Sequence, residues 1–138
     1  MANKDIPGLG WSRLKGHYQL GRQCLDIPLS IHQNARKKIC DIMKKDGYNS
    51  GIILLEGGKQ LNQYDTDTEP VFRQDSWFNF LFGVHESEFY GAVNINTNKC
   101  TLFMPRLPEV YKIWCGSIHP PEHFKDLYVV DEVVYSDE

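Results

Sequence analysis

The sequence lacks an apolar run long enough to cross a membrane, and its first residues contain no hydrophobic core of a signal peptide. They also lack the Arg- and Ser-rich, acid-poor composition of an organelle transit peptide. Cysteine is sparse and widely spaced, with no C-x-x-C pair: Cys24, Cys40, Cys100 and Cys115. This spacing argues against a disulfide framework and favours a reducing compartment. We therefore expect a protein of the cytosol that contacts no membrane.

A large excess of charge of one sign is also missing. The formal net charge of −3 and the pI near 5.9 provide no overall attraction to nucleic acid or acidic lipid. Basic residues cluster at Arg36–Lys38 and Lys44-Lys45, and we interpret this cluster as the solvent-facing side of a helix. With 138 residues, of which 41% are hydrophobic, the chain can bury the core of a single domain without disulfide or metal.

The common catalytic motifs are absent. The sequence contains no G-x-S-x-G and no H-E-x-x-H, and its histidines do not stand at a recognised spacing from a nucleophile. Gly57-Gly58-Lys59 lacks the glycine spacing and the Lys-Ser/Thr ending of a phosphate-binding loop, so we predict a turn that ends a strand. We therefore expect no catalytic residue in this chain.

Two spacings are compatible with metal binding. Cys115, His119 and His123 are four residues apart and are ligand types that zinc accepts, but two prolines interrupt the helix that would align them. Asp65-x-Asp67 could hold a divalent cation, although such a loop more often caps a turn. We predict no metal site here and keep a small zinc-binding domain as a minor hypothesis.

The first half of the chain is predicted to contain one helix and one buried strand. Residues 1–20 are rich in Gly and polar groups and are predicted to form an arm. Apolar residues at helical intervals predict a helix over Ser30–Asp46, with Ser30 as N-cap and Gly47 as its end. The apolar run Gly51–Leu55 predicts a central strand covered on both faces.

The second half begins with an aromatic segment, Val71–Val84. We predict a helical turn capped by Asp75 or Ser76, then a strand ending at Gly83, with most of the rings in the core. The remaining predicted elements are strands at Phe89–Asn94 and Lys99–Met104 joined by an Asn-rich turn, a helix starting near Leu107–Glu109, a helix at Glu122–Tyr128, and an edge strand from Val129-Val130 and Val133-Val134.

Trp114 has two interpretations. It precedes Cys115-Gly116-Ser117, a composition typical of a loop, and an exposed tryptophan beside a glycine turn can anchor an interface or a ligand. From the residues alone, packing in the core is the interpretation that we favour.

Several motifs closely resemble those of the prolidase family, the Xaa-Pro dipeptidases of the creatinase and aminopeptidase P superfamily. The most specific are F-R-Q-D-S at Phe72–Ser76, P-R-L-P at Pro105–Pro108 and W-C-G-S-I-H at Trp114–His119. The resemblance covers roughly residues 18–138 without large gaps. Further matches lie at Tyr64–Thr68, Phe82–Val84, Thr101–Met104, Glu122–Lys125, Tyr128 and Val130–Val133, with weaker ones at Leu20-Gly21 and Pro28-Leu29.

The resemblance implies a fold. In this family the stretch is the amino-terminal domain, a three-layer α/β/α fold with a mixed central sheet that is described as ribonuclease-H-like. Residues 21–138 would form this domain, behind the arm of residues 1–20. The family's catalytic domain, a pita-bread fold, comes afterwards and is absent from this chain, so we expect a fragment of a longer protein.

The resemblance also implies the chemistry of the parent protein, which is hydrolysis of dipeptides with a carboxy-terminal proline. Two divalent metal ions, expected to be manganese, would be held in the catalytic domain by two Asp, one His and two Glu that this chain lacks. In prolidase-like dimers the amino-terminal domain of one subunit narrows the active site of the other. Trp114 matches the family tryptophan that does so, which implies a substrate-binding role in trans. Cys115 departs from the family pattern and leaves the shape of that loop open.

The leading hypothesis is therefore an accessory, dimer-shaping domain of a metal-dependent Xaa-Pro dipeptidase, inactive by itself. The alternative is a non-catalytic protein-interaction module that reuses this fold. The two differ in whether the five metal ligands follow further along the full-length protein.

Overall fold

The computed structural model describes residues 16–18 and 25–138 of the chain, and within these residues it is a mixed α/β fold. The predicted arm of residues 1–20 lies outside the described residues except for residues 16–18. The strands are β1 (His17–Tyr18), β2 (Ile27–Pro28), β3 (Ile52–Glu56), β4 (Tyr90–Asn94), β5 (Cys100–Met104) and β6 (Glu132–Tyr135). The helices are α1 (Ser30–Lys45), α2 (Ser76–Phe82), α3 (Lys112–Cys115), which follows a 3-10 turn at Glu109–Tyr111, and α4 (Pro121–Tyr128).

The main sheet is mixed, as predicted. Its described strands lie in the order β3-β4-β5-β6, with the first three antiparallel and β6 parallel to β5. The predicted hairpin joins β4 to β5, and the side chain of Asn94 accepts hydrogen bonds from the backbone of Asn96 and Thr97. Asn98 has a φ of +59°, the left-handed conformation that asparagine tolerates in turns.

The prediction that β3 is a central strand covered on both faces is wrong for the described part of the chain. β3 lies at the edge of the sheet, and its side chains alternate between the two faces. Ile53 and Leu55 pack against the core, whereas Ile52 and Leu54 are 66% and 63% exposed. The apolar run places apolar side chains on both faces of β3. Among the described residues, only one of those faces is covered.

The core is one-sided because successive strand residues point to opposite faces of the sheet. Leu102 in β5 pairs with Gly91 in β4 and Val133 in β6, and all three are buried on the face that carries the helices. The buried side chains of that core come from α1, α2, α4 and this face of the sheet, and include Cys40, Phe78, Phe82, Val93, Cys100, Leu102, Phe124 and Tyr128.

Helix α1 has the predicted extent, but two of its details differ from the prediction. Ser30 is already helical, and Leu29 occupies the N-cap position without a side-chain cap. The basic cluster is not wholly solvent-facing, because Arg36 is only 4% exposed. Arg36 lies four residues from both His32 and Cys40, which are also buried, so helical periodicity places all three on the face toward the protein.

Helix α2 replaces the predicted turn and strand. It runs without a break over Ser76–Phe82, and its buried residues, at helical spacing, are Phe78, Leu81 and Phe82. The strand was predicted because aromatic residues have a high β-propensity. Asp75 is the N-cap, as one of the two predicted candidates, and its carboxylate accepts hydrogen bonds from the backbone of Trp77 and Phe78 at 3.0 and 2.9 Å. Gly83 ends the helix at a φ of +66°.

The carboxyl end of α2 is held by side chains from other elements. Tyr18 Oη donates to the carbonyl of Gly83 at 2.6 Å, His32 Nδ1 donates to that of Phe80 at 2.9 Å, and Arg36 Nη1 donates to that of Leu81 at 2.8 Å. Burial is the main cause of a lowered pKa at His32, which favours its neutral form. These three bonds satisfy carbonyls that a helix end leaves without internal partners.

Helix α4 and the last edge strand form near their predicted positions, but the strand is shorter than predicted. Helix α4 begins at Pro121, and β6 is the other edge strand of the described sheet. Val129 and Val130, which were predicted to belong to this strand, lie outside β6. Val129 instead ends α4 in a left-handed conformation, with a φ of +52°. The described part of the chain contains no helix that is both long and apolar enough to span a bilayer.

Substitution of Gly83 tests the packing at the end of α2. A Cβ at this position would lie 2.5 Å from Tyr18 Oη and would also clash with the His32 ring, at a φ that disfavours side chains. We expect Gly83→Ala to lower the free energy of unfolding by about 2–4 kcal/mol, combining left-handed strain with overpacking.

The matched control is Gly47→Ala, because Gly47 also has a positive φ, +94°, but a Cβ there meets nothing within 4 Å. Only the backbone cost of about 1 kcal/mol should appear in its urea denaturation curve. Equal destabilisation by the two substitutions would contradict the close packing at Gly83.

Candidate functional site

The segment that carries Trp114 is the candidate site, and its ends are defined by proline and glycine. After β5, Pro108 adopts an extended conformation and precedes the 3-10 turn that leads into α3. Gly116, with a φ of +75°, ends α3. Proline's fixed φ and glycine's freedom at positive φ suit these two positions. The result is a compact helical projection between β5 and α4, as the sequence predicts.

Three apolar side chains of this projection form an exposed apolar ridge, which we define as Val110, Ile113 and Trp114. Trp114 is 81% exposed and Ile113 is 76% exposed, and Val110 is also exposed. Their i, i+3, i+4 spacing places them on one side of the helical turns. The interpretation of Trp114 as a core residue is therefore wrong. Clustered exposed apolar side chains mark surfaces that contact a partner or a ligand.

Arg106 ties the start of this projection to the end of β6. Its Nε lies 2.9 Å from Asp137 Oδ2, and its Nη2 donates to Glu138 Oε1 at 2.6 Å. Its guanidinium carbon stands 3.7 Å from the ring centroid of Tyr135. The two carboxylates raise the pKa of Arg106, and Arg106 in turn lowers the pKa of Asp137. Because these groups are solvent-exposed, the cluster contributes to positioning more than to stability.

The other end of the projection leads to a pair of stacked histidines. The rings of His119 and His123 lie 3.9 Å apart at 13°, and both meet the ring of Phe124 edge-on. Parallel imidazole planes do not converge on a common metal ion. The structure thus brings together two of the three residues in the zinc hypothesis, while Cys115 is exposed. In the described ranges, no group of three or more His, Cys, Asp or Glu side chains could hold a metal.

The other sequence candidates lie in ordinary loop segments. Asp65 and Asp67 are exposed, and Thr66 Oγ1 between them donates to the carbonyl of Gln63 at 2.6 Å. β3 ends before Gly57-Gly58-Lys59 as predicted, but these residues form an irregular segment instead of a turn, and the backbone N–H of Gly57 donates to the carbonyl of Phe89 at 2.8 Å. An ion pair of 2.8 Å between Lys59 and Glu56 lowers the pKa of Glu56. Neither loop assembles a site.

Two members of the ridge were not predicted from the sequence. Val110 and Ile113 received no role, although their spacing from Trp114 was a readable helical signal. Gln74 of the F-R-Q-D-S motif likewise received no predicted role. Gln74 Oε1 accepts a hydrogen bond from the backbone of Gly58 at 2.5 Å, and its Nε2 donates to the carbonyls of Val84 and Glu86. This side chain, which precedes α2, therefore joins the segment after β3 to the segment after α2.

Comparisons with known proteins give a consistent family match. Residues 32–138 match the family model described as "Aminopeptidase P, N-terminal domain". The chain is 42% identical over 129 residues to the Xaa-Pro dipeptidase of Rattus norvegicus, covering 92% of this chain and 26% of that protein. It is 42% identical over 123 residues to the Xaa-Pro dipeptidase of Homo sapiens, covering 88% and 25%. The chain therefore spans about a quarter of the length of these relatives.

The fold is similar to that of solved aminopeptidases. The aminopeptidase PepP of Pseudomonas aeruginosa superposes with a TM-score of 0.66 at 24% identity, over 79% of this chain and 24% of that one. The proline aminopeptidase P II of Yersinia pestis superposes with a TM-score of 0.66 at 22% identity, over 81% and 25%. At these identities the likeness concerns the fold alone.

Thiol labelling tests the exposure of the projection. In a Cys24→Ser background, Cys115 should react with a maleimide at the rate of an exposed thiol. Cys40 and Cys100 are buried, and burial raises the pKa of Cys100 to about 11, so both should react more than roughly a hundredfold slower, through opening of the fold. Mass mapping of labelled peptides measures the rates. Comparable labelling of Cys40 would contradict the packing described here.

Proposed function

The chain belongs to the aminopeptidase P N-terminal domain family, and from this premise we propose that it is the accessory domain of a metal-dependent Xaa-Pro dipeptidase. The single observation that carries the proposal is the exposed apolar ridge. Clustered apolar side chains are unfavourable in water, so a ridge of this kind indicates a surface that a partner covers. In the full-length protein the ridge would be covered where it meets a reaction site built by another domain.

The reaction that we propose for the full-length protein is hydrolysis of the peptide bond before a carboxy-terminal proline. A proline nitrogen carries no hydrogen and its tertiary amide is constrained, so general peptidases handle this bond poorly. Two divalent ions, for which we propose manganese, would supply hydroxide and charge stabilisation in a catalytic domain outside this chain. The residues of this chain would act only on the substrate, by narrowing its pocket and excluding longer peptides.

Trp114 is the residue to which we assign the contact with substrate. Its indole is a rigid, largely apolar plate that suits contact with a proline ring. Because Trp114 points away from its own core, the pocket that buries it belongs to another body, and we propose the catalytic domain of the second subunit in a homodimer. Val110 and Ile113, on the same projection, would pack against that subunit.

The uncovered face of the sheet supports the finer fold that we propose, a three-layer α/β/α arrangement of ribonuclease-H-like type. Ile52 and Leu54 are exposed on this face, and strand register places Ala92, Phe103 and Val134 on the same side. Glu56, Asn94, Thr101 and Glu132 share this face, so its apolar part is the portion that favours burial. We propose that a second helical layer from the full-length protein covers it.

We also propose a cytosolic location. The support is the free state of the cysteines that the structure describes, Cys40, Cys100 and Cys115, which suits a reducing compartment.

Replacing Trp114 tests its role. In the full-length protein, Trp114→Ala should lower kcat/KM for a Gly-Pro dipeptide by roughly tenfold or more, the scale of a buried aromatic anchor, while the denaturation midpoint stays near that of the parent. Trp114→Phe should retain an intermediate value.

The matched control is Trp77→Ala, since Trp77 is 72% exposed but lies on α2, outside the ridge. It should leave kcat/KM near the parental value. Unchanged kinetics for Trp114→Ala, or an equal loss for Trp77→Ala, would contradict the assignment.

The chain by itself should be inactive. Purified residues 1–138 with added manganese should not hydrolyse Gly-Pro, because the described residues assemble no metal cage. Turnover that copurifies with the chain would refute the accessory role. The interaction-module alternative would gain support if the full-length protein lacked the five metal ligands, since the ridge would then bind a partner without serving a reaction.

A further inference from the structure

A polar cleft lies between α1 and two loops, at residues that do not belong to the apolar ridge. Its volume is about 370 Å³. One wall comes from α1, and the opposite walls come from the β4–β5 turn and the loop between α4 and β6. The lining residues are Gln33, Arg36, Lys37, Asn98, Val129, Val130 and Asp131.

The cleft has two cations without a carboxylate partner in the described part of the chain. Arg36 is almost fully buried, yet Leu81's carbonyl is its one hydrogen-bond acceptor within those residues. Lys37 beside it forms no ion pair there. A guanidinium carries five N–H donors, and a buried charge is normally paired or fully hydrogen-bonded. The α1 wall therefore carries positive charge that is not ion-paired and N–H donors that have no acceptor in the described residues.

The one carboxylate of the cleft forms no ion pair with these cations. Asp131 Oδ2 accepts a hydrogen bond from the backbone of Cys100 at 2.7 Å, and Asp131 is not within ion-pair distance of Arg36 or Lys37. The side-chain amide of Asn98 makes no hydrogen bond to the residues that the structure describes. Gln33 Nε2 donates to the carbonyl of Val129 at 3.3 Å and joins the two walls.

We propose that this cleft binds a small oxyanion, a carboxylate or a phosphate group, between Arg36, Lys37 and Asn98. Charge-assisted hydrogen bonds from arginine and lysine are the strong interactions by which proteins hold such groups. The volume lies within the range of small-molecule sites. The competing explanation is that Arg36 serves only the carbonyl end of α2, whose helix dipole also favours a cation. That explanation assigns nothing to Lys37.

The test is a titration of the 15N-labelled chain with inorganic phosphate, and separately with acetate, at constant ionic strength. We expect saturable shifts of the backbone amides of Gln33, Lys37, Asn98 and Asp131. Lys37→Gln should weaken the binding roughly tenfold, the effect of one charge-assisted hydrogen bond. Lys37 is chosen because Arg36 also holds α2, so its loss could unfold the chain.

Lys38→Gln is the matched control, since Lys38 is exposed on the same helix but does not line the cleft. It should bind both probes as the parent does. Saturation by either oxyanion, with the loss confined to Lys37→Gln, supports the site and shows which group it takes. Shifts that do not saturate, or an equal loss in the two variants, would overturn it.

Discussion

The carbonyl groups at the carboxyl end of α2 must find donors inside the protein, and much of the described structure follows from how they do. A buried carbonyl without a partner costs about 1–3 kcal/mol. Tyr18 from β1, and His32 and Arg36 from α1, supply the donors. Gly83 makes room for two of these side chains. The same contacts lock α1 against α2 and place a buried arginine beside the cleft that we propose as an oxyanion site.

The domain has one well-packed side and two apolar surfaces that are exposed to solvent. The helices and one sheet face share a continuous core, whereas the opposite sheet face and the ridge of Val110, Ile113 and Trp114 remain open in the described residues. Exposing such surfaces to water is unfavourable in an isolated domain, and burying them in a larger assembly is favourable. The chain matches about a quarter of the length of its relatives. This agrees with the proposal that its exposed faces contact other parts of a longer protein.

Local signals predicted most elements, and tertiary packing decided the errors. Asn-rich chemistry predicted the β4–β5 hairpin, and Pro121 predicted the start of α4, because the backbone limits of these residues act within a few positions. The position of β3 at the sheet edge and the burial of Arg36 depend on elements that are distant in the sequence. Local composition therefore predicted a central strand and a solvent-facing arginine, and both predictions were wrong. The family resemblance assigned Trp114 a contact role. Residue chemistry alone favoured its burial, since a tryptophan is more often packed than displayed.

The most direct test of the central claim, that Trp114 serves a pocket in another subunit, is complementation between two defective full-length subunits. One carries Trp114→Ala, and the other keeps Trp114 but has an inactivated metal site. In the mixed dimer, the intact catalytic domain would receive Trp114 from its partner, so we predict about half the activity of the parental dimer. Activity of the mixed dimer no higher than that of the Trp114→Ala homodimer would contradict a role in trans.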